Sequence, residues 1–193
     1  MGYTTYFSGE LDFNKPVTQE LGDYINRFNQ TRRIKRDVEK IKEIFPNWQN
    51  QCFNGELGDE GEYFVGGTGF CGQDCDESVL NYNHSPADQP GLWCQWIIEG
   101  DKLVWDEGEK FYNYIEWLIY LIDHFFKPLD YVLNGEIFWE GEHSDDFGCI
   151  SVENNVVTVQ EGKRYYSMSD FSTDVLIKEL TKRGYTVTEA LNE

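Results

Sequence analysis

The chain has 193 residues and carries 16 Lys and Arg against 35 Asp and Glu, a formal net charge of −19. Aromatic residues make up 16% of it, too many for a disordered acidic segment, so we expect the chain to fold, as a single domain over residues 1–193. The negative charge argues against nucleic acid or an anionic membrane as a direct ligand, and no apolar run is long enough to cross a bilayer.

The charge is unevenly distributed along the sequence. Residues 1–42 carry a net charge of +2, whereas residues 43–162 hold 24 acidic groups against three lysines, a net charge of −21. Such a segregated field attracts basic surfaces and speeds association with a cationic partner. The alternative is that the acidic groups only keep a Trp-rich domain in solution.

A strand and a helical region are predicted first. Residues 7–13 alternate apolar and polar side chains, which is typical of a half-buried strand. Thr18 is a suitable N-cap for the helix that follows, whose apolar residues recur at three- and four-residue spacing up to Phe45. Polar residues 29–31 predict a bend or a break, with Thr31 as the cap of a second helix.

A cluster of four cations lies in this helical region: Arg32, Arg33, Lys35 and Arg36. A basic helix invites a nucleic-acid interpretation, but the rest of the chain would repel that ligand. We therefore expect these cations to pair with the protein's own acidic residues.

A long acidic loop region is predicted over residues 47–91. It is rich in Gly, Asp, Asn and Pro, and only residues 62–65 resemble a strand. Loops of this length in a compact domain are usually functional or partly mobile, so we expect a binding surface here.

Hairpins dominate the second half of the sequence. Residues 92–98 and 102–105 flank one turn, and residues 149–152 and 156–159 flank an Asn pair that tolerates positive φ. A further strand is predicted over residues 131–140.

The most apolar helix is predicted over residues 110–126, opened by Asp106 and Glu109 in the manner of a capping box. A last helix is expected from Ser172 to Arg183, followed by a short strand over residues 185–187. Since hairpins require antiparallel pairing, the sequence predicts an α+β fold: a mostly antiparallel sheet built from hairpins, the central helix buried on one face, and two further helical regions.

The five cysteines and the absence of a signal peptide indicate reduced thiols and a cytoplasmic location. One weak metal candidate is a zinc site formed by Cys71, Cys75, His84 and Cys94, although the spacing matches no known zinc motif. Buried free thiols are the commoner fate of such cysteines. No metal or other cofactor is therefore predicted.

Carboxylates alternate on a predicted strand, with Glu136 and Glu140 on one face and Trp139 on the other. Paired carboxylates with tryptophan platforms suggest a small hydrolase or a carbohydrate-binding module as an alternative function. A solvated face of an antiparallel sheet would look the same. No nucleophile elbow or phosphate-binding loop is present, so the sequence favours a protein that is not an enzyme.

Four stretches of the sequence together resemble a family of uncharacterised acidic proteins of bacteriophage and bacterial genomes. They are residues 2–7 (GYTTYF), 89–96 (QPGLWCQW), 109–117 (EKFYNYIEW) and 131–136 (YVLNGE). The family carries no assigned activity, so the resemblance implies no catalytic residue. It implies a small accessory protein of the phage-encoded kind, acting in the cytosol of a bacterial host.

In that context, the acidic middle predicts a protein that occupies the basic groove of a host nucleic-acid-handling protein, for example a defence nuclease or a CRISPR effector, by mimicking DNA. The oligomeric state is left open. The candidate contact residues are acids of the loop and sheet together with two tryptophans that could anchor the contact: Asp59, Glu60, Glu62, Asp74, Asp76, Glu77, Trp93, Trp96, Glu136, Glu140, Glu142, Asp145 and Asp146.

Overall fold

The computed structural model describes residues 2–66, 76–163 and 172–186 and contains two compact units, Met1–Gly162 and Lys163–Glu193. The first unit is built around a six-stranded sheet in which every neighbouring pair is antiparallel, in the order β4-β5-β1-β6-β7-β8. Its strands are β1 (Thr5–Phe13), β4 (Trp96–Glu99), β5 (Lys102–Trp105), β6 (Leu133–Gly141), β7 (Phe147–Glu153) and β8 (Val156–Glu161). The predicted α+β class is confirmed.

A separate two-stranded sheet pairs β2 (Lys35–Arg36) with β3 (Val79–Asn81). The helices are α1 (Gln19–Gln30), α2 (Val38–Ile44), α3 (Tyr114–Leu121) and, in the second unit, α4 (Thr173–Lys182). None of the helices in the described residues has the length and apolar character that crossing a bilayer requires.

Helix α1 begins as predicted, because the Thr18 hydroxyl accepts a hydrogen bond from the Leu21 backbone N–H at 3.3 Å. The predicted role of Thr31 is wrong, since its hydroxyl donates back to the carbonyl of Arg27 within α1. Asp37 instead caps α2 by accepting from the backbone N–H groups of Glu39 and Lys40. Pairing with β3 draws the intervening backbone out of the helix.

The central helix is shorter than predicted. The α-helical part, α3, starts at Tyr114 and continues through a π-turn over Ile122–Phe126 and a 3-10 turn over Lys127–Leu129. Asp106 does not open it, because its carboxylate accepts from Gly108 N and Asn29 Nδ2 instead. The burial of the helix is confirmed, and it packs with α1 against the inner face of the sheet.

The long loop folds over a second apolar cluster of Ile41, Cys52, Leu57 and Phe64. The strand predicted at residues 62–65 is wrong, since this segment follows a 3-10 turn at Asp59–Gly61 without joining a sheet. The hairpin predicted around the Asn pair is confirmed, with φ angles of 51° at Asn154 and 66° at Asn155.

In the second unit, α4 lies within the predicted range, and Gly184 follows it with a positive φ of 88°. The strand predicted at residues 185–187 falls partly outside the described residues. The single domain predicted over residues 1–193 stays a prediction.

Candidate functional site

The six-stranded sheet has one face packed on α1 and α3 and a second face that no helix of the described part of the first unit covers. We call this second face the outer sheet face. On the two central strands, the inward positions include Leu11, Ile137 and Trp139, all buried. The alternate positions point outward, as strand periodicity requires. On β1 and β6 these outward residues are Tyr6, Ser8, Glu10, Asp12, Asn134, Glu136, Phe138 and Glu140.

The register of β1 against β6 brings these outward side chains together in pairs. Glu10 lies directly opposite Glu136, and Tyr6 lies opposite Glu140. Directly opposite residues in such a pair have Cβ atoms about 5 Å apart, so the two rows form one contiguous strip. Two large apolar side chains lie within it, with Phe138 50% exposed and Tyr6 63% exposed.

The strip is strongly acidic because its outward positions on β1 and β6 include four carboxylates, Glu10, Asp12, Glu136 and Glu140, and no lysine or arginine. The cation Lys102 lies on the neighbouring strand β5. The ammonium group of Lys102 binds the carboxylate of Glu10 and lies 4.0 Å from that of Asp12. Glu136 accepts a 3.3 Å hydrogen bond from the Ser151 hydroxyl. Lys102 and Ser151 therefore offset part of the repulsion between Glu10 and Glu136.

At the tip of the β6–β7 hairpin, two of the candidate acids hold the N-terminal segment. Asp146 accepts hydrogen bonds from the Tyr3 hydroxyl at 2.5 Å and from the Trp139 indole at 3.1 Å. Glu142 accepts from the backbone N–H of Thr4 at 2.8 Å. Asp145 is exposed beside them. Asp146 and Glu142 therefore have structural partners, whereas Asp145 is open to solvent.

The loop acids do not join the outer sheet face, and several neutralise the basic cluster. Glu60 binds Lys35 at 2.8 Å and Asp76 binds Arg36 at 2.8 Å, which agrees with the expected self-pairing of these cations. Glu62 is buried. The other loop candidates are Asp59 and Glu77, which are exposed, and Asp74, which lies outside the described residues.

Asp76 binds the buried guanidinium of Arg36, which belongs to the two-stranded sheet. Its carboxylate also accepts from the backbone N–H and the hydroxyl of Ser78. Partial burial acts to raise the pKa of Asp76, but the hydrogen bonds from Ser78 and Arg36 outweigh it, so the pKa falls below its ordinary value.

We expect Asp76→Asn to lower the free energy of unfolding by about 2 kcal/mol at neutral pH, because Arg36 would keep its buried charge without a counterion. Urea unfolding measures this loss. Because the pKa of Asp76 in the folded protein lies below its ordinary value of 3.8, the ionised carboxylate stabilises the fold fully above pH 3.8. This stabilisation is lost as the pH falls through the folded-state pKa. The wild type and the variant should therefore converge in acid. The exposed control Glu77→Gln should change stability by less than about 0.5 kcal/mol; equal losses in the two variants would contradict the prediction.

The candidate tryptophans are not exposed anchors. Trp96 is completely buried and its indole donates to the Tyr114 carbonyl, so it is unavailable to a partner. Trp93 is half-buried, with the guanidinium of Arg32 at 6.0 Å from its ring. The large exposed side chains of the outer sheet face are instead Tyr6 and Phe138. The two-residue period of β6 places Phe138 on the same face as Glu136 and Glu140, whereas the position of Tyr6 beside them depends on the β1–β6 register.

The zinc candidate is not supported by its described members. Cys94 is buried in the core, where burial raises its pKa to about 12 and disfavours the thiolate that zinc requires. His84 is exposed on the loop after β3, while Cys71 and Cys75 lie outside the described residues. Within the described ranges, no three His, Cys, Asp or Glu side chains are grouped to hold a metal ion.

Comparisons with protein-family models, curated proteins and solved structures find no match to this chain.

Proposed function

We propose that the protein is a non-enzymatic binding protein whose outer sheet face docks on the basic, nucleic-acid-binding surface of another protein. The observation that supports this is the strip of β1 and β6, where carboxylates and exposed aromatic rings alternate on rigid strands. The target class is a nucleic-acid-handling protein of a bacterial host, such as a defence nuclease or a CRISPR effector. The acidic strip would occupy the groove meant for DNA or RNA.

The geometry of the strip suits an arginine-rich partner. Phe138 lies between Glu136 and Glu140 on the same face of β6, with about 7 Å between successive outward positions. A guanidinium can stack on an aromatic ring while its N–H groups bind a flanking carboxylate. In each such contact an arginine of the partner would stack on an aromatic ring and pair with a carboxylate of the strip. Aromatic residues and arginine are the residue types enriched in interface hot spots.

Lys102 would act as an internal competitor for the same carboxylates. Its ammonium group already binds Glu10 on the outer sheet face, so a partner cation must exchange with it or bind beside it. Because the lysine is half-exposed, this ion pair is worth little in isolation and is readily exchanged.

The alternative of a carboxylate-pair hydrolase receives less support. Glu136 and Glu140 are four residues apart on one strand, about 13 Å, which exceeds the separation used by glycosidases. Trp96 and Trp139 lie on the inner side of the sheet and cannot stack on a sugar beside these acids. A cleft of about 940 Å³ lies along α1, lined by residues that include Tyr24, and neither of the two glutamates lines it.

The proposal is tested by competition for DNA. Fluorescence anisotropy would follow labelled duplex DNA bound to each member of a panel of guide-loaded CRISPR effectors and bacterial nucleases, at about 0.1 M salt. We expect the chain to displace DNA from at least one panel member and to lose this ability near 1 M salt, where screening is nearly complete.

Matched variants would locate the surface. The triple variant E10Q/E136Q/E140Q is expected to weaken displacement by about tenfold or more, since tenfold corresponds to only about 1.4 kcal/mol. The control E39Q/E43Q/E56Q removes the same charge from other exposed sites and should stay within about twofold of the wild type. Displacement from no panel member, or equal losses in both triple variants, would overturn the proposal.

A further inference from the structure

The two edge strands of the six-stranded sheet, β4 and β8, differ in whether other parts of the described chain hydrogen-bond to their outer backbone groups. At the β4 edge, the side chain of Asn26 in α1 hydrogen-bonds both backbone groups of Ile98, donating to its carbonyl at 3.0 Å and accepting from its N–H at 2.8 Å. This amide replaces a neighbouring strand and closes the edge. Exposed sheet edges invite pairing with another chain, and covering them is a common protection.

The opposite edge, β8, has no comparable cover among the described residues. Gly162 donates its N–H to the carbonyl of Phe147 on β7. In an antiparallel pair, backbone groups of alternate residues point toward the same neighbour, so the N–H and C=O groups of Val156, Thr158 and Gln160 also point toward β7. The backbone groups of Val157, Val159 and Glu161 consequently point away from the sheet. No partner for the outward groups of Val157 and Val159 is found within the described part of the chain.

The sequence of β8 also lacks the features that usually prevent an edge strand from pairing with another chain. It reads Val-Val-Thr-Val-Gln-Glu, rich in β-branched residues, with no Pro or Lys and a single charge at its end. The register against β7 is continuous, without a bulge. Two of its valines are exposed, Val156 by 64% and Val159 by 40%.

We propose that β8 pairs antiparallel with β8 of a second copy of this chain, about a twofold axis that passes between the two Thr158 residues. In this register, Val157 of each copy lies opposite Val159 of the other, and these are the residues whose backbone groups point outward. Both valines lie on the inner side of the sheet, so each covers apolar surface of the other. Glu161 lies opposite Asn155, so the two glutamates do not meet.

A second copy is the occupant that this strand fits because the pairing is self-complementary in hydrogen bonds and in side-chain faces, and it brings no two charged residues of β8 opposite each other. The twofold axis is perpendicular to the sheet, and the pairing joins the two six-stranded sheets into one continuous sheet of twelve strands. The outer sheet faces of both copies then lie on the same side. The inference is drawn from β8 alone and does not depend on the proposed function.

Salt distinguishes this pairing from the binding of a basic partner. Each copy carries a formal net charge of −19, so the two copies repel one another and screening strengthens their association. Binding to a cationic surface weakens under the same change. Either proposal can therefore fail without the other.

Sedimentation equilibrium of the full chain tests the pairing at about 0.15 M and 0.5 M salt. We expect a species of twice the 22.6 kDa chain mass that is more abundant at the higher salt. Hydrogen exchange should show protected amides at Val157 and Val159 in the associated species. A monomer at both salt concentrations would overturn the proposal, and protected edge amides in such a monomer would assign the edge to a segment of the same chain.

Charge substitution at the axis tests the register. Both T158K and T158E place like charges directly opposite each other across the axis, so each variant alone should be monomeric. Thr158 is exposed, so the unfolding midpoints of the variants should remain close to that of the wild type. Mixing T158K with T158E should restore a dimer, because opposite charges then meet. A dimer that survives either substitution, or a mixture that remains monomeric, would contradict this register.

Discussion

Replacing Arg33 with alanine is expected to lower the free energy of unfolding by about 4 kcal/mol, the largest effect that we predict for this chain. Arg33 is 2% exposed. Its guanidinium donates to the carbonyls of Phe64 at 2.9 Å and Glu62 at 2.6 Å, and its Nε donates to the Gln89 side chain at 3.3 Å. Removing the side chain leaves buried acceptors without donors and opens a cavity.

Arg33 holds the inner end of the long loop, and no carboxylate of the described residues pairs with it. The hydrogen bonds to carbonyl oxygens and the face of Phe28, 4.0 Å from the guanidinium carbon, take the place of a counterion. Burial lowers the pKa of Arg33 from its ordinary value. Because arginine is not deprotonated in proteins, the group is expected to carry its charge near neutral pH.

Urea unfolding of three variants tests this role. Arg33→Lys keeps the charge but lacks the planar fork that reaches several acceptors, so it should also be destabilised substantially. The control is the neighbouring Arg32→Ala, which removes a half-exposed guanidinium stacked at 4.6 Å from the Tyr82 ring and should lose about 1 kcal/mol. An Arg33→Lys variant as stable as the wild type would show that charge alone is sufficient.

Gly9→Ala is expected to destabilise the protein by about 3 kcal/mol, because two penalties add at this position. Gly9 lies in the middle of β1 with a positive φ of 100°, a conformation that side chains rarely adopt. A Cβ there would overlap the backbone carbonyl of Glu136 on β6. Backbone cannot move aside as a flexible side chain could, so the strands would separate beneath the outer sheet face.

Gly100 provides the matched control for Gly9. It also has a positive φ, 60°, but no atom of the described residues other than its own chain neighbours lies within 4 Å of the position of its Cβ. Gly100→Ala should therefore cost only the conformational penalty, about 1 kcal/mol. Thermal unfolding of the two variants separates the contributions; a Gly9→Ala variant no less stable than Gly100→Ala would show that β1 and β6 tolerate the extra atom.

Local patterns predicted several elements correctly because the interactions that form them are local. The Thr18 cap is within three residues of its donor, and the Asn154–Asn155 turn joins adjacent strands. Burial of the helix after Asn113 follows from its own composition. The failures occurred where remote segments compete for the backbone: β3 draws β2 out of the predicted helix, and Asp106 binds Asn29 rather than capping α3.

In the candidate site, too, the features set by local sequence were predicted and those set by long-range pairing were not. Alternation on β6 correctly predicted that Glu136 and Glu140 share a face, since the side-chain period of a strand is two. That Glu10 lies opposite Glu136 required the β1–β6 register, which joins residues at least 120 positions apart in the chain. Burial of Trp96 likewise depended on which side of the sheet the helices cover.

The sequence by itself determined the class of fold, the excess of negative charge and the two-residue alternation of the strands, because these depend on composition and on neighbouring residues. Only the tertiary structure decided which acids are neutralised by the basic cluster, which aromatic rings remain exposed and which sheet edge has no partner among the described residues. Those outcomes depend on contacts between distant segments: Glu60 with Lys35, Asp76 with Arg36, and Asn26 with the edge of β4. Long-range pairing is set by the packing of the whole chain, and local residue preferences carry little information about it.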